Sequence, residues 1–251
     1  MKKIAVIGDI CKDVFIYGIC NRLNPEAPVP IISELYRNEI DGMAGNVHLN
    51  VKSLGLNSKL ITNDGEITKT RFIEEKSNYI LLRFDNDTKI SRIKLKNIDI
   101  QDYDMIIISD YDKGFLSEED IEYILNKSKL SFIDTKKPLG KWILPASYVK
   151  INQSEFSNSK NDGDVIKILN DNNKLIITLG KFGAKYGEKH FKSIESSNVM
   201  DVIGAGDTFL AALSGHYLIN NNITKAIEFA NVCAGEVVCK RGIGYPETKL
   251  I

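Results

Sequence analysis

Short apolar runs alternate with amphipathic segments along this chain. The apolar runs end in polar residues or glycine and predict buried strands near residues 3–8, 59–62, 104–110, 130–136, 148–152 and 174–179. Apolar residues at helical spacing predict helices near residues 46–54, 117–127, 164–169 and 224–240, and another in the apolar run after Asp207. This alternation predicts an α/β fold in which helices cover both faces of a mostly parallel central sheet.

A second β-element interrupts that pattern near the N-terminus. Residues 21–30 hold three prolines and cannot form a helix, whereas residues 31–37 alternate loosely like a strand. Residues 70–75 and 79–85 have the pattern of a hairpin. These segments predict a small β lid formed from about 13–38 and 68–93. The alternative for residues 21–30 is a plain connecting loop.

Composition and charge narrow the function classes. The 251 residues fit one large α/β domain or two small ones, and Lys plus Arg balance Asp plus Glu at 33 each. We therefore expect neither a nucleic-acid partner nor a membrane surface. The short apolar stretch at the start is too brief for an export signal, so we expect a cytoplasmic protein. The cysteines and histidines lack the spacing of a zinc site or a disulfide framework.

The glycine-rich stretch at residues 201–209, Asp-Val-Ile-Gly-Ala-Gly-Asp-Thr-Phe, is the strongest candidate for chemistry. Gly204 and Gly206 allow a tight turn before a helix, whose first N–H groups would attract an anion. A carboxylate beside such a turn suits phosphoryl transfer, because Asp207 would accept a proton from an attacking hydroxyl. The alternative is that Asp207 only caps the helix.

Polar residues at other predicted strand and helix ends are weaker candidates. Asp9 and Asp13 follow the first strand, at the edge where open α/β sheets bind ligands. Asn46 lies near a helix start, where its side chain would either cap the helix or bind a hydroxylated ligand. No Gly-x-Gly-x-x-Gly follows Gly8, which argues against a hydride-transfer enzyme.

With these elements in order, residues 4 to about 244 resemble the ribokinase-like (PfkB) carbohydrate kinases. The stretch at 201–209 matches the signature shared by that family. Within the family, the chain most resembles the D-glycero-β-D-manno-heptose 7-phosphate kinases. That closer likeness rests on residues 21–30, 109–114 and 229–235. The resemblance implies the ribokinase-like fold in a single kinase domain spanning residues 1–251.

The resemblance also implies roles for individual residues. Asp207 would be the catalytic base, with an anion hole formed by Gly204, Ala205 and Gly206. The sugar would contact Asp13, Gly42, Gly45 and Asn46. Asn152 and Glu155 match a family motif that organises Mg²⁺ and nucleotide phosphates, often through water. The ATP groove would include Asn152, Glu155, Thr178, Gly180, Gly183, Asn231 and Gly242. Lys113 and Lys136 are candidates for phosphate contacts; the alternative is that both are solvated loop lysines.

Three departures from the family pattern concern the substrate more than the chemistry. Met43 replaces the second glycine of a Gly-Gly pair near the sugar, where it would narrow the pocket or shift its backbone. The chain between Leu60 and Thr70 is short and lacks a stretch that normally adds a helix and a strand. The nucleotidyltransferase domain often fused to heptose kinases has no counterpart in these residues, so we expect only the kinase activity.

The expected reaction is ATP- and Mg²⁺-dependent phosphorylation of the anomeric hydroxyl of D-glycero-β-D-manno-heptose 7-phosphate. The product, the 1,7-bisphosphate, would enter the ADP-heptose pathway to surface polysaccharide. The sequence leaves open whether a monovalent cation is required. Two alternatives also remain: a kinase of another sugar or sugar phosphate, and a non-catalytic relative that binds sugar or nucleotide. The exposed strands of the lid would allow a homodimer.

Overall fold

The computed structural model describes residues 2–194 and 199–250. Within those ranges the strands are β1 (Ile4–Gly8), β2 (Ile10–Leu23), β3 (Pro30–Met43), β4 (Ser58–Ile61), β5 (Thr68–Glu74), β6 (Tyr79–Asn86), β7 (Met105–Asp110), β8 (Ser131–Thr135), β9 (Tyr148–Asn152), β10 (Leu175–Thr178), β11 (Ala184–Tyr186) and β12 (Lys189–Phe191). The helices are α1 (Ala44–Ser53), α2 (Glu118–Lys127), α3 (Gln153–Phe156), α4 (Gly163–Asp171), α5 (Ala205–Asn220) and α6 (Ile223–Val237).

The central sheet has the strand order β12-β11-β10-β9-β8-β7-β1-β4. From β4 to β10 every neighbouring pair is parallel, whereas β11 and β12 form an antiparallel edge. The predicted fold class is therefore confirmed. All the predicted strands of this sheet are present, with ends within a few residues of the predicted ones.

Two apolar cores lie on opposite faces of this sheet. In β1, Val6 packs in the core shared with α1, α5 and α6, and the neighbouring Ile7 packs in the core shared with α2 and α4. This alternation follows from the strand geometry, because successive side chains point to opposite faces. The near-continuous apolar composition of the parallel strands reflects burial on both sides.

A second sheet of four strands, in the order β3-β2-β5-β6, forms the lid; we call it the lid sheet. Strands β2 and β3 are antiparallel and pair as far as Leu23 and Pro30, so the prolines lie at the tip of the hairpin. The alternative of a plain loop at residues 21–30 is therefore wrong. Buried Phe15, Tyr17 and Ile73 pack the lid sheet against Ile203 and Ile243 of the main body.

The shortened middle segment joins the two sheets directly. Residues 62–67 lead from β4 to β5, and the Asn63 side chain closes the connection. Its Oδ1 accepts the Ile10 N–H at 2.8 Å, and its Nδ2 donates to the Gly65 carbonyl at 2.7 Å. This part-buried amide is hydrogen-bonded at both ends, which fixes the short connection.

Met43 stands at the junction between the lid sheet and α1. Its side chain is 3% exposed and packs in the core that also contains Cys11 and Ile67. Its backbone has φ 56° and ψ −128°. Glycine enters this region freely, whereas a residue with a Cβ atom enters it at a cost. The departure from the family pattern thus strains the backbone here, while the side chain stays in the core.

This strain predicts an inverted order of stability at position 43. We expect both Met43→Ala and Met43→Gly to lower the free energy of unfolding, since both remove a buried side chain. We expect Met43→Gly to be the more stable of the two by about 1–3 kcal/mol, because only glycine relieves the strain. Urea denaturation of both variants measures the difference. In ordinary strand or helix positions alanine is favoured over glycine, so the usual order here would contradict the strained backbone.

Candidate active site

The carboxyl ends of the parallel strands bring several polar residues to one edge of the central sheet. Gly8 pairs with Ser109, and Ser109 pairs with Asp134. The registers therefore align the ends of β1, β7 and β8, and Asn152 at the end of β9 pairs with Thr178 at the end of β10. Parallel α/β sheets bind their ligands at this edge.

The predicted glycine turn begins α5 at the same edge. Gly204 is the N-cap residue and has φ 79°, which favours glycine. A Cβ atom on Gly204 would lie only 2.7 Å from Asn46 Nδ2. Asp207 lies in the first turn of the helix rather than at its cap, so the alternative that Asp207 only caps the helix is wrong.

Asp207 is 6% exposed and is held by two hydrogen bonds from different parts of the fold. Asn46 Nδ2 donates to its Oδ2 at 2.9 Å, and the Tyr111 hydroxyl donates to its Oδ1 at 2.7 Å. Burial raises the pKa of this carboxyl to about 6, although both donors act to lower it. A carboxylate of this basicity accepts a proton readily near neutral pH and is ionised there.

Asn46 is fixed by a polar network between α1 and α5 rather than by capping. Met43 occupies the N-cap position of α1 without a side-chain cap. Asn50 Nδ2 donates to the backbone carbonyl and to Oδ1 of Asn46, at 2.9 and 3.0 Å. Thr208 Oγ1 in turn donates to Asn50 Oδ1 at 2.9 Å. Such a satisfied buried network locks the amide of Asn46 toward Asp207.

A cleft of about 770 Å³ opens beside Asp207. This volume lies in the range of pockets that hold cofactors and other small ligands. Predicted site residues that line it are Lys136, Asn152, Thr178, Gly180, Gly183, Gly204, Ala205, Gly206, Asp207 and Asn231. Apolar residues on its other wall include Val202, Phe209 and Val238. The cleft therefore combines an apolar wall with a polar floor at the carboxyl edge of the sheet.

Lys150 and Asp134 form a buried ion pair in the floor of the cleft. Lys150 Nζ lies 2.5 Å from Asp134 Oδ2, and a Cβ atom on Gly206 would lie 3.4 Å from the same ammonium. The lysine therefore sits directly under the glycine turn. An ammonium next to helix N–H groups adds positive charge where a phosphate would bind.

A magnesium ion fits one feature of this floor. Asp134 Oδ1 is buried and has no hydrogen-bond partner among the described residues, and Lys136 Nζ lies 3.9 Å away from it. A carboxylate oxygen of this kind is a hard ligand of the type that Mg²⁺ prefers. The described residues hold no group of three or more His, Cys, Asp or Glu side chains suited to a metal. The protein would therefore hold Mg²⁺ through few carboxylates, with phosphates and water completing its shell.

The Asn152–Glu155 motif folds into a capping box at the start of α3. Asn152 Oδ1 accepts the Glu155 N–H at 2.8 Å, and Glu155 Oε2 accepts the Asn152 N–H at 2.7 Å. The other oxygen of Glu155 pairs with Lys136 Nζ. Glu155 is thus rigidly placed beside a lysine that lines the cleft, a placement compatible with a contact to Mg²⁺ through water.

Gly242, predicted to line the ATP groove, and Lys113, a candidate for a phosphate contact, lie apart from the cleft. Gly242 lies against the lid sheet, where a Cβ atom would be 3.6 Å from the Tyr17 hydroxyl and 4.0 Å from the Phe15 ring. Lys113 Nζ pairs with Asp87 Oδ2, just beyond the end of β6. Neither residue is among those that line the cleft.

The other predicted sugar-binding residues lie on β2 and β3 of the lid sheet and at the start of α1, and Gly42 packs against Asp13. Asp13 Oδ1 forms a buried ion pair with Arg71 of β5 at 2.5 Å. A Cβ atom on Gly42 would lie 1.9 Å from Asp13 Oδ2, so only glycine fits there. Gly45 packs closely against Asp41 and Ile10. Asp9, by contrast, is occupied by the backbone N–H groups of Tyr111 and Phe115 and serves the loop after β7.

No role at the site was predicted for Tyr111, Asp134, Lys150 or Arg71, although Tyr111 belongs to the stretch 109–114 that carries the family likeness. Lys150 carried the clearest signal, because a lysine inside an apolar strand is rarely buried without a partner. Asp134 likewise ends a buried strand at the ligand-binding edge. Tyr111 and Arg71 reach the site through tertiary packing, which no local pattern reveals.

Comparison with known proteins places this geometry in a family. Residues 46–250 match the family model described as pfkB family carbohydrate kinase. The chain is similar to the bifunctional protein HldE of a Nitratiruptor species, with 30% identity over 287 residues that cover 96% of this chain and 62% of that protein. It is also similar to HldE of Helicobacter acinonychis (strain Sheeba), with 33% identity and coverage of 96% and 64%. The chain thus spans less than two thirds of the length of these relatives.

Solved structures share the fold at low sequence identity. The ribokinase of Thermotoga maritima superposes with a TM-score of 0.72 at 17% identity, and the match covers 98% of this chain and 97% of that one. Phosphofructokinase-2 of Escherichia coli in complex with potassium has a TM-score of 0.69 at 13% identity, with coverage of 96% and 93%. The sequence match, which covers most of the chain, together with this shared architecture shows that the chain belongs to the pfkB family of carbohydrate kinases.

Proposed function

We propose that this carbohydrate kinase transfers the γ-phosphoryl group of ATP to the anomeric hydroxyl of a sugar phosphate, with Asp207 as the general base. The observation that carries the proposal is the position of Asp207. Its carboxylate lines the cleft at the first turn of a helix, and its Oδ2 accepts a hydrogen bond from Asn46 of the helix that follows β3 of the lid sheet. A base in that position can meet both a hydroxyl and a phosphoryl group.

The donor side of the proposed reaction is the cleft. ATP would place its phosphates near the glycine turn, where the N–H groups at the start of α5 and the ammonium of Lys150 would stabilise negative charge. Mg²⁺ would supply further charge stabilisation when bound, with Asp134 and, through water, Asn152 and Glu155 as its protein contacts. Lys136 would contact a phosphate, as its position at the wall of the cleft allows.

The acceptor side is the space between Asp207 and the lid sheet. Asp13 and Asn46 would bind sugar hydroxyls, with Gly42 and Gly45 allowing close approach of the backbone. Asp207 would take the proton of the attacking hydroxyl as its oxygen forms a bond to the γ-phosphorus and ADP leaves. The lid sheet would exclude water so that ATP is not hydrolysed.

The acceptor that we favour is D-glycero-β-D-manno-heptose 7-phosphate, which would give the 1,7-bisphosphate. Residues 21–30, 109–114 and 229–235 support this choice through their likeness to heptose 7-phosphate kinases. The similarity to proteins named HldE agrees with it. The reaction would supply the ADP-heptose pathway in the cytoplasm. A substrate panel that includes ribose and fructose 6-phosphate tests the choice, and ADP formation only with another sugar would contradict it.

We also propose that the lid sheet pairs with a second copy of this chain. Strand β6 is one of the two edge strands of the lid sheet, and Leu82 and Phe84 on it are each 58% exposed. An apolar edge strand with unpaired backbone groups favours association with another strand. A second copy would cover this edge and the neighbouring apolar residues Tyr79 and Ile80.

We expect Asp207→Asn to fold normally and to lose turnover by about 10²-fold or more, because a positioned base is removed. ADP release from ATP–Mg²⁺ with heptose 7-phosphate measures the loss. Asp171→Asn, the same change at the exposed end of α4, is the matched control and should keep full turnover. Unchanged turnover in Asp207→Asn would remove Asp207 from its role, and nucleotide binding without ADP in the parent protein would favour a binding relative.

The raised pKa of Asp207 also predicts how the stability depends on pH. The folded protein binds a proton on Asp207 below about pH 6, whereas the unfolded chain releases it near pH 3.8. Ionised Asp207 therefore destabilises the fold above pH 6 and has no such effect below pH 3.8. We expect the free energy of unfolding of Asp207→Asn, relative to that of the parent protein, to rise by about 2–3 kcal/mol between pH 4 and pH 7. Urea denaturation at both pH values checks this, and a pH-independent difference would contradict it.

Sedimentation equilibrium tests the proposed dimer. We expect the parent chain to be a dimer and the double variant Leu82→Lys/Phe84→Lys to be a monomer, because charge on an edge strand opposes pairing. Tyr123→Lys, on the exposed side of α2, is the control and should remain dimeric. A monomeric parent, or a double variant that is still dimeric, would show that this edge is not the interface.

A further inference from the structure

Tyr111 connects the base to both sides of the site. It follows β7, and its backbone N–H donates to Asp9 Oδ2 at 2.6 Å. Its hydroxyl donates to Asp207 Oδ1 at 2.7 Å. The side chain is thus fixed at its backbone by one carboxylate and at its tip by another.

Two lysines lie over the ring of Tyr111. Lys69 Nζ of β5 is 5.4 Å from the ring centroid, and Lys136 Nζ is 5.2 Å from it. Lys69 belongs to the lid sheet, whereas Lys136 lines the cleft. Ammonium groups at this distance attract the face of an aromatic ring, so they hold the ring between the lid and the cleft.

Both oxygens of the base are therefore covered by donors, Oδ2 by Asn46 and Oδ1 by Tyr111. We propose that Tyr111 is a positioning residue that holds Oδ1 of Asp207 until the hydroxyl of the acceptor takes its place. The proposal rests on the proposed function for the identity of that hydroxyl. In the absence of an acceptor the Tyr111 hydroxyl occupies Oδ1 of Asp207, and the acceptor must displace this hydroxyl before phosphoryl transfer.

A phenol suits this task because it donates a hydrogen bond without giving up its proton. Burial, followed by the negative charge of Asp207, raises the pKa of Tyr111 well above its ordinary value. The phenol therefore stays protonated while Asp207 ionises. By stabilising the carboxylate, the phenol also keeps Asp207 ionised to lower pH. Because it occupies Oδ1, a water molecule cannot bind this oxygen and be activated there for attack on ATP.

Displacement of the Tyr111 hydroxyl precedes the transfer. The hydroxyl of the sugar donates to Asp207 Oδ1 in place of the Tyr111 hydroxyl, which turns to another acceptor. The O–H bond of the sugar then breaks and its proton passes to Asp207. The sugar oxygen forms a bond to the γ-phosphorus, and the bond from that phosphorus to the bridging oxygen of ADP breaks. Asp207 afterwards releases the proton to solvent, and Tyr111 returns to Oδ1.

The titratable groups that face Asp207 come from several elements. They are Cys11 of β2, Tyr111 after β7, Asp134 of β8, Lys136 after β8 and Lys150 of β9. Asp134 acts to raise the pKa of Asp207 and Lys150 acts to lower it. Replacing Tyr111 by phenylalanine alters none of these charges and keeps the ring beneath the two lysines. The variant thus removes one hydrogen bond from Asp207 and leaves the other groups in place.

Tyr111→Phe tests the proposal through its pH profile. We expect the pKa of the acid limb in the pH profile of kcat/KM to rise by about one pH unit. The free energy of a hydrogen bond to a charged group corresponds to a pKa shift of roughly this size. We also expect ADP formation without sugar to rise relative to ADP formation with sugar. Tyr186→Phe removes a phenol that donates to the Asn173 carbonyl at 2.9 Å and should change neither quantity. A variant that is slower at every pH with an unmoved limb would show a merely structural role.

A carbon-13 NMR titration of the Asp207 carboxyl separates this proposal from the proposed function. An upward shift of its pKa in Tyr111→Phe supports the hydrogen bond even if no sugar is phosphorylated, an outcome that would overturn only the kinase reaction. An unchanged pKa would overturn the role of Tyr111. Should Tyr111→Phe fail to fold, 3-fluorotyrosine at position 111 offers the opposite change. This stronger donor should lower the pKa of Asp207, and no change would again reject the proposal.

Discussion

The site depends on one constraint: a carboxylate that must stay ionised while nearly excluded from water. Without hydrogen-bond donors, Asp207 would be protonated or would turn toward solvent. The free-energy cost of burying an isolated charge is far larger than the stabilisation from any single contact. Donors from two separate elements, Asn46 of α1 and Tyr111 after β7, offset that cost. The carboxylate keeps enough basicity to take a proton near neutral pH because the compensation is only partial. The basicity that the proposed reaction requires and the local cost in stability thus have the same physical origin, the burial of this carboxylate.

The rest of the fold can be understood as the support for this carboxylate. Helix α1 holds Asn46 through Asn50, and Asn50 is in turn bonded to Thr208, the residue next to Asp207. The parallel strands carry Asp134 and Lys150 to the floor of the cleft. The lid sheet brings Asp13 and Arg71 to the opposite side as a buried pair. Asp207 therefore lies at the cleft and is held by α1 and by the loop after β7. In the proposed reaction, a phosphate donor and a hydroxylated acceptor would approach it from different directions.

Local patterns in the sequence predicted the architecture well and the site only in part. Strands such as β1 and β7 are apolar on both faces, and α2 begins with a Ser117 capping box, so their positions follow from short-range chemistry. The lid hairpins also followed from prolines and alternation. The loss of a glycine at Met43 predicted either a narrowed pocket or a shifted backbone, and the structure shows a strained backbone whose dihedral angles are imposed by the junction of β3 and α1.

The contacts of Asp207 could not be predicted, because the residues that make them are distant from it in sequence. Tyr111 lies 96 positions from Asp207 and Asn46 lies 161 positions from it, so no local sequence pattern indicates either contact. The Asn152–Glu155 pair was expected at Mg²⁺, and the structure adds a local role for it as a capping box that also holds Lys136. Gly242 is a case in which the family likeness predicted the wrong surroundings. It was expected in the ATP groove but lies against Tyr17 of the lid sheet.

The central claim is that Asp207 faces an acceptor hydroxyl and the terminal phosphorus of a nucleotide at the same time. A crystal structure with a non-hydrolysable ATP analogue and heptose 7-phosphate tests it most directly. We expect the anomeric oxygen within hydrogen-bonding distance of Asp207 Oδ1 and in line with the γ-phosphorus, with the Tyr111 hydroxyl turned away. A sugar bound elsewhere, or an Asp207 that still contacts only Asn46 and Tyr111 with both ligands present, would contradict it.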